Sequence, residues 1–231
     1  MTDSLGKISR DVIGCHLCPR LVAWREESAA RPPARFRGER YWARPLPSFG
    51  DGAARLMIVG LAPAAHGGNR TGRMFTGDAS GDFLFGSLAR AGFANRPASV
   101  SRDDGLELSG ALVTAGVRCA PPDNRPTPRE FATCRPYLER EIAVLPGLAV
   151  IVALGSLAFT SALAAWEGLG REVPRPRPKF RHGCEFSIGV TLLASYHPSQ
   201  QNTFTGRLTA PMLDAVFVRA RRICERKQTP V

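Results

Sequence analysis

The chain has 231 residues, and its apolar fraction of 44% is ordinary for a globular protein of one domain. No apolar run reaches transmembrane length, and the N-terminus lacks the apolar core of a signal peptide, so a cytoplasmic protein is expected. The 31 Lys and Arg against 20 Asp and Glu give a net charge of +11, which favours a nucleic-acid partner, although arginine-rich chains are also typical of GC-rich genomes.

The predicted elements begin after a basic N-terminal segment. Residues 1–50 contain a C-x-x-C pair and an arginine-rich helical pattern, and with little apolar material they are expected to wrap the body of the domain. The run Leu56-Met57-Ile58-Val59 predicts a first buried strand over 55–61. A long loop over 62–80 and a helix over 81–93 follow.

Three further strand–helix pairs complete the chain. The apolar runs predict strands over 110–118, 148–154 and 190–195, and the helical patterns predict helices over 129–145, 156–168 and 207–226. The alternation predicts one domain over 1–231: an α/β fold built as a three-layer α/β/α sandwich with a central, mostly parallel four-stranded sheet. The loops 60–81, 119–128 and 196–206 leave carboxyl ends of strands, so they should meet at one edge of the sheet.

The first of these loops, GLAPAAHGGNRTGRMFTGDASG, has an unusual composition for a spacer. Its six glycines allow a close approach to a ligand, and Phe75 and Asp78 stand among them. The phosphate-binding patterns G-x-x-x-x-G-K-[ST] and G-x-G-x-x-G do not occur in it. Phe75 offers a ring face and Asp78 a carboxylate, so the loop is predicted to hold a flat ligand. Asp78 could instead simply cap the following helix.

Four of the six cysteines form a candidate metal site. Cys15 and Cys18 form a half-site that Cys119 and Cys134 can complete, as in a structural zinc site or a [4Fe–4S] cluster. Spacing alone does not choose between these two, and four unrelated thiols remain an alternative. Cys184 and Cys224 lie outside the pattern.

The last loop begins with His197-Pro-Ser, directly after an apolar strand. With Phe75, Asp78 and Asn124, this histidine suits recognition of a base that is flipped out of DNA, stacked on an aromatic ring and hydrogen-bonded along its edge. One competing hypothesis is a non-catalytic, metal-stabilised, basic DNA-binding module. A nucleotide hydrolase would need an acidic pair for Mg²⁺, and the pair Asp103-Asp104 lies in a connecting loop.

Three segments carry a family resemblance: GLAPAAHGGNRTGRMFTGDASG, VRCAPPDNRPTP and HPSQQNTFTGRLT. Together with the four-cysteine pattern they resemble the family 5 (type B) uracil-DNA glycosylases of bacteria and archaea. The resemblance implies the uracil-DNA glycosylase fold and a [4Fe–4S] cluster. It also implies excision of uracil, with some other deaminated or damaged bases, from double- and single-stranded DNA.

The resemblance also implies roles for residues. Asp78 would orient water, Phe75 would stack on the base, and His197 would lie near the uracil carbonyl. The cluster ligands would be Cys15, Cys18, Cys119 and Cys134. From the residues themselves, Arg207 and the loop over 203–206 are candidates for filling the gap that a flipped nucleotide leaves. The full set of predicted substrate-binding residues is Gly60, Ala62, Phe75, Asn124, Asn202 and Arg207.

Two departures separate the sequence from the narrower type A enzymes, which remain an alternative. Ala64 and Ala65 stand where type A enzymes have a more polar first motif, and Thr114-Ala115 stands where they carry a uracil-reading Asn. A less discriminating pocket is expected, with Asn124 as the replacement reader. The three motifs contain no lysine, so a Schiff-base lyase step is not expected. A monomer associated with the nucleoid is the expected form.

Overall fold

A computed structural model describes residues 3–226. Its sheet has six strands in the order β1-β3-β2-β4-β6-β5. The strands are β1 Phe49–Gly50, β2 Leu56–Gly60, β3 Ala111–Ala115, β4 Val150–Leu154, β5 Glu185–Ser187 and β6 Thr191–Ser195. The central four, β3-β2-β4-β6, are parallel, whereas β1 and β5 pair antiparallel with the outer members. The α/β fold and the parallel core are as predicted.

The sequence-based strand count of four is wrong, because two short edge strands extend the sheet. β1 has two residues and β5 has three, and neither is fully buried. Strands this short present no apolar run to read in the sequence.

Helices cover both faces of the sheet. They are α1 Leu5–Ile13, α2 Pro19–Ala30, α3 Gly68–Thr71, α4 Ala79–Arg90, α5 Pro128–Ala143, α6 Ser156–Gly168, α7 Gln200–Phe204 and α8 Ala210–Arg226. α4 and α8 pack on one face and α5 and α6 on the other, with α1 against α5. The described helices include none long and apolar enough to span a membrane. Lys227, expected at the end of the last helix, lies outside the described residues.

The two layers of helices explain why the strands are apolar throughout. In β2, Leu56 and Ile58 belong to the core under α4 and α8, and Met57 and Val59 to the core under α5 and α6. All four side chains are fully buried. Burial contributes about 1.5–3 kcal/mol for each such side chain. A parallel strand covered on both faces therefore needs an unbroken apolar run.

The N-terminal segment lies along the first-motif loop, by which we mean residues 60–81. The backbone N–H groups of Trp42 and Ala43 donate to the carbonyls of Arg70 and Asn69, at 3.0 and 3.1 Å. The loop itself contains the short helix α3, which was not predicted because its hydrogen bonds form without an apolar stripe. These contacts give the loop a fixed course over the sheet edge.

Candidate active site

A cavity of about 480 Å³ opens at the carboxyl edge of the parallel strands. Three loops line it, as the topology predicted. The predicted site residues in its wall are Gly60, Ala62, Phe75, Asp78, Asn124 and His197. We call this the strand-end cavity.

Phe75 forms one wall of the cavity. Its backbone has φ 52°, which is uncommon for an aromatic residue and turns the ring back over the end of β2. A Cβ on Gly60 would come within 2.8 Å of that ring, so glycine leaves the space that the ring occupies. The ring centroid is 5.8 Å from that of His197, with an angle of 32° between the planes. Phe75 therefore presents a fixed aromatic surface beside the histidine.

Asp78 sits at the N-cap of α4 and lines the same cavity. Its Oδ1 accepts a hydrogen bond from the backbone N–H of Gly81 at 2.9 Å, while Oδ2 lies against the α-carbon of Gly67. Burial raises the pKa of this carboxyl, and the N–H groups of Gly81 and Ser80 only partly offset that effect. None of the ion pairs in the described part of the chain involves Asp78. The helix-cap hypothesis is thus compatible with a carboxylate that also faces the cavity.

His197 follows β6 and lines the cavity beside the Phe75 ring. Burial lowers its pKa to about 4, so the imidazole is neutral near pH 7. Across residues 3–226 its ring makes no hydrogen bond, so its nitrogens are available to a ligand. The Asn202 amide donates to the carbonyl of His197 at 2.8 Å and holds the loop in place.

Asn124 lies at the mouth of the cavity, in a 3-10 turn over Pro122–Asn124. Both Asp123 and Asn124 have positive φ, near 55°, a conformation that Asn and Asp adopt more readily than most residues. The Asn124 side chain is exposed and is not hydrogen-bonded to any described residue. Its amide is therefore uncommitted.

Two predicted substrate-binding residues lie elsewhere. Asn202 and Arg207 line a neighbouring cavity of about 240 Å³, which shares only Leu61 and His197 with the strand-end cavity. The Arg207 guanidinium stacks 4.6 Å above the Tyr196 ring. Phe204, which lies between Asn202 and Arg207 in the sequence and ends α7, is 80% exposed. Asn202 is thus hydrogen-bonded to the His197 carbonyl and does not line the strand-end cavity.

Thr114 and Ala115 have different environments at the end of β3. The Thr114 hydroxyl donates to Glu141 at 2.7 Å, on the side of the sheet that faces α5. Ala115 lines the strand-end cavity. The wall where type A enzymes are expected to carry an amide is therefore formed here by a methyl group.

The four predicted metal-ligating cysteines surround one small cavity, joined there by Leu21 and Tyr137. Burial raises the pKa of the Cys119 thiol to about 11 and that of Cys134 to about 12. Two donors face these sulfurs: Nη1 of the Arg25 guanidinium lies 3.3 Å from Cys119 Sγ, and the backbone nitrogen of Arg118 lies 3.3 Å from Cys134 Sγ. Buried sulfurs that face a guanidinium and a backbone N–H fit a bound group that keeps them as thiolates.

The spacing of these cysteines bears on the size of that group. Among residues 3–226, no three His, Cys, Asp or Glu side chains lie close enough to hold a single metal ion. Zinc–sulfur bonds of 2.3 Å would bring tetrahedral thiolates to about 3.8 Å from one another. The described sulfurs are therefore not placed as a single bound zinc ion would hold them.

Sequence reasoning missed the residues that hold the first-motif loop in shape. Arg73 is buried and binds Asp104, Ser99 and Thr76, with 2.6 Å between Nη2 and Asp104 Oδ2. Asp104 is thus committed to an ion pair within the fold. Little in the sequence indicated this ion pair, since Arg73 and Asp104 are far apart in the chain and Asp104 lies in a polar loop.

Comparisons with known proteins agree with this geometry. Residues 47–220 match the family described as the uracil DNA glycosylase superfamily. The chain belongs to that superfamily. It is 54% identical over 211 residues to a type-5 uracil-DNA glycosylase of Thermus thermophilus, covering 90% of this chain and 93% of the relative. It is 48% identical over 223 residues to one of Mycobacterium leprae, covering 95% and 96%.

Type-4 relatives are more distant. A type-4 uracil-DNA glycosylase of Pyrobaculum aerophilum is 32% identical over 164 residues, covering 69% of this chain and 74% of the relative. The difference from the type-5 values confirms the family 5 resemblance read from the three motifs, and with it the predicted fold.

Proposed function

We propose that the protein removes uracil from DNA by hydrolysing the bond between the base and the sugar, leaving an abasic site. The observation that carries this proposal is the strand-end cavity, in which an aromatic face, an unpaired carboxylate and a neutral imidazole converge. The type-5 uracil-DNA glycosylases to which the chain is similar name the reaction.

Asp78 is proposed to act on water and on the sugar. As the bond breaks, its electron pair leaves with the base, and positive charge develops on the sugar. The water oxygen then bonds to the sugar carbon. A carboxylate beside that carbon stabilises the charge and accepts the proton that the water loses as its oxygen bonds to the sugar, and the departing base anion takes up a proton from solvent. Asp78 suits this role because no cation in the described chain pairs with it.

His197 and Phe75 are proposed to act on the base. A neutral imidazole can donate a hydrogen bond to the carbonyl oxygen on which negative charge develops, and the low pKa of His197 keeps it neutral. Phe75 would stack against the flipped base. Where Ala115 lines the cavity, its methyl group offers no polar atom to hydrogen-bond the edge of the base. This supports a pocket that also accepts other deaminated bases. Asn124, at the mouth, is the proposed base-reading amide.

The DNA-facing surface extends beyond the cavity. Gly60 and Ala62 bring backbone close to the substrate, and the exposed Phe204 ring beside Arg207 is suited to fill the gap that a flipped nucleotide leaves. A net charge of +11 supports binding to double- and single-stranded DNA through phosphates. We further propose a single domain over 1–231 that acts as a monomer in the cytoplasm, on nucleoid DNA.

The proposed cofactor is a [4Fe–4S] cluster held by Cys15, Cys18, Cys119 and Cys134. When bound, it would supply a structural cross-link between the N-terminal segment, the end of β3 and α5. As-purified protein should then absorb broadly near about 400 nm. Colourless protein with stoichiometric zinc after anaerobic purification would refute the assignment.

The decisive experiment uses a duplex with one uracil and an identical duplex with thymine. Incubation followed by alkali should cleave only the uracil strand, at the uracil, because alkali breaks abasic sites. Without alkali the strand should stay whole, since the three motifs contain no lysine for a lyase step. Binding without any alkali-labile product would instead support the non-catalytic DNA-binding module.

A further inference from the structure

Arg25 is a buried cation that the reaction does not use. It lies on α2, seven residues after Cys18, and is 1% exposed. The nearest carboxylate oxygen, on the exposed Glu26, is 4.0 Å away. A buried guanidinium without a close counter-charge is costly, so some other negative group is expected beside it.

The contacts of Arg25 identify that group. Its Nη1 lies 3.3 Å from Cys119 Sγ and 3.4 Å from the carbonyl of Cys15, while Nη2 lies 3.3 Å from His16 Nδ1. One guanidinium therefore contacts two of the four cysteines, which are supplied by different segments of the chain. Thiolates at the loaded site would provide the missing negative charge.

The backbone of Arg25 reaches in the opposite direction. Its carbonyl accepts a hydrogen bond from the amide of Asn69 at 3.1 Å. Asn69 is fully buried in α3, within the first-motif loop, and its own N–H donates to the carbonyl of Ala64. Gly67, which precedes α3, lies against the Asp78 carboxylate. Arg25 thus stands between the cysteine site and the part of the loop that faces Asp78.

We propose that Arg25 and Asn69 are positioning residues that join the four-cysteine site to the first-motif loop, so that the course of the loop around Asp78 depends on the state of that site. This inference rests on the proposed function and its cluster. In this proposal the Arg25 side chain helps to retain the bound group through its contact with Cys119, and the Arg25 carbonyl positions Asn69 through their hydrogen bond.

The test compares Arg25→Met, Arg25→Lys and Asn69→Ala with the wild type and with a control, Arg219→Met, whose arginine pairs with Glu185 far from both sites. Three quantities are measured: iron per chain during exposure to a chelator, hydrogen exchange of the amides of Gly68–Thr71, and kcat and KM for uracil release. Iron content and excision by the wild type are measured first, so failure of the proposed cofactor or function is seen separately.

Arg25→Met should lose iron about 10–100-fold faster, the range found when partners of metal ligands are removed. Exchange over Gly68–Thr71 should rise and kcat should fall, with little change in KM. Lysine keeps the charge without the planar fork, so Arg25→Lys should be intermediate. Asn69→Ala should keep its iron, yet show the same increase in exchange and loss of kcat. The control should match the wild type in all three.

The double variant Arg25→Met, Asn69→Ala gives a further check, since its loop exchange should be no faster than that of the Arg25→Met variant. Unchanged exchange in Asn69→Ala would overturn the link. Iron loss in Arg25→Met without a change in exchange would overturn it as well, because the cysteine site would then be independent of the loop. Unchanged iron retention in Arg25→Met would remove Arg25 from the site.

Discussion

Asp78 and Asp104 lie in neighbouring loops and have opposite environments. The Asp104 side chain is 4% exposed and binds the Arg73 guanidinium, and its carboxylate also accepts from the backbone N–H groups of Val100, Ser101 and Leu106. Burial alone would raise the pKa of Asp104, but these donors hold it well below its usual range. Asp78 has two backbone donors and forms none of the ion pairs of the described chain, and burial raises its pKa although those donors and the more distant charge of Arg70 act in the opposite direction.

The difference separates a carboxylate that stabilises the fold from the one that the proposed mechanism uses. Arg73 precedes Phe75 by two residues, so its ion pair with Asp104 fixes the part of the loop in which Phe75 has a positive φ. The charge of Asp104 is fully compensated inside the protein, whereas that of Asp78 is compensated only in part. The ion pair of Asp104 thus holds the loop in which the less compensated carboxylate of Asp78 faces the cavity.

The largest expected effect is on the rate of Asp78→Asn. Loss of the carboxylate should lower uracil excision by about 10²–10⁴-fold in single-turnover kinetics, the range for general base catalysis. The melting temperature at neutral pH should stay the same or rise, because a carboxyl whose pKa is raised by folding destabilises the fold above that pKa and Asn is an equally good cap. A rate within about threefold of wild type, far below the general-base range, would leave Asp78 as a cap alone.

Asp104→Asn should produce the reverse pattern. Breaking a buried ion pair by removing one partner costs about 3–5 kcal/mol, so the free energy of unfolding in urea should drop by about that much. The rate per folded molecule should fall less than in Asp78→Asn. Asp103→Asn is the matched control, since Asp103 is exposed and is in none of the ion pairs of residues 3–226. Equal stabilities for the two variants would contradict the comparison.

Phe75→Ala tests the stacking role proposed for the ring whose loop is held by the Arg73–Asp104 ion pair. Stacking of a base on an aromatic ring is worth about 1–3 kcal/mol, so kcat/KM on uracil-containing DNA should fall by about 5- to 150-fold. Phe75→Leu keeps apolar volume without a ring face and should recover little. Full activity of the leucine variant would show that volume, and not stacking, is what the cavity requires.

The smallest expected effect is a shift in the acid limb of the pH–rate profile. In the proposed mechanism excision needs the Asp78 carboxylate, so the rate should fall as pH drops through its raised pKa, with a midpoint above the ordinary value of 3.8. His197 stays neutral until about pH 4, and Asp104 stays ionised well below that. Asp78→Asn should lack this limb in its residual activity. Melting curves at each pH distinguish titration from unfolding, and a midpoint at or below 3.8 would refute the burial argument.

The sequence predicted the elements that burial defines. All four parallel strands are apolar runs, and their carboxyl ends bring Phe75, Asp78 and His197 together as parallel topology requires. The edge strands and the short helices α3 and α7 form through backbone hydrogen bonds without apolar periodicity, so their residues carried no readable pattern.

The sequence could not predict which polar residues are occupied with one another. Arg73 and Asp104 are 31 positions apart, and Arg118 and Glu141 are 23 apart. Nothing in the local pattern of either pair shows the contact. In the same way, Asn202 belongs to the last motif, but a single turn of α7 directs its amide to the His197 carbonyl and away from the strand-end cavity.

The two short edge strands have a consequence for aggregation. A long, flat sheet edge exposes unpaired backbone groups that can add a strand from another molecule. Here the sheet ends on one side in the two residues of β1, closed by Gly50, and on the other in the three residues of β5, where Glu185 binds Arg219 at 2.7 Å. Neither edge offers enough length for a stable intermolecular ladder. Edge-to-edge pairing between copies is therefore disfavoured by the length of both edges.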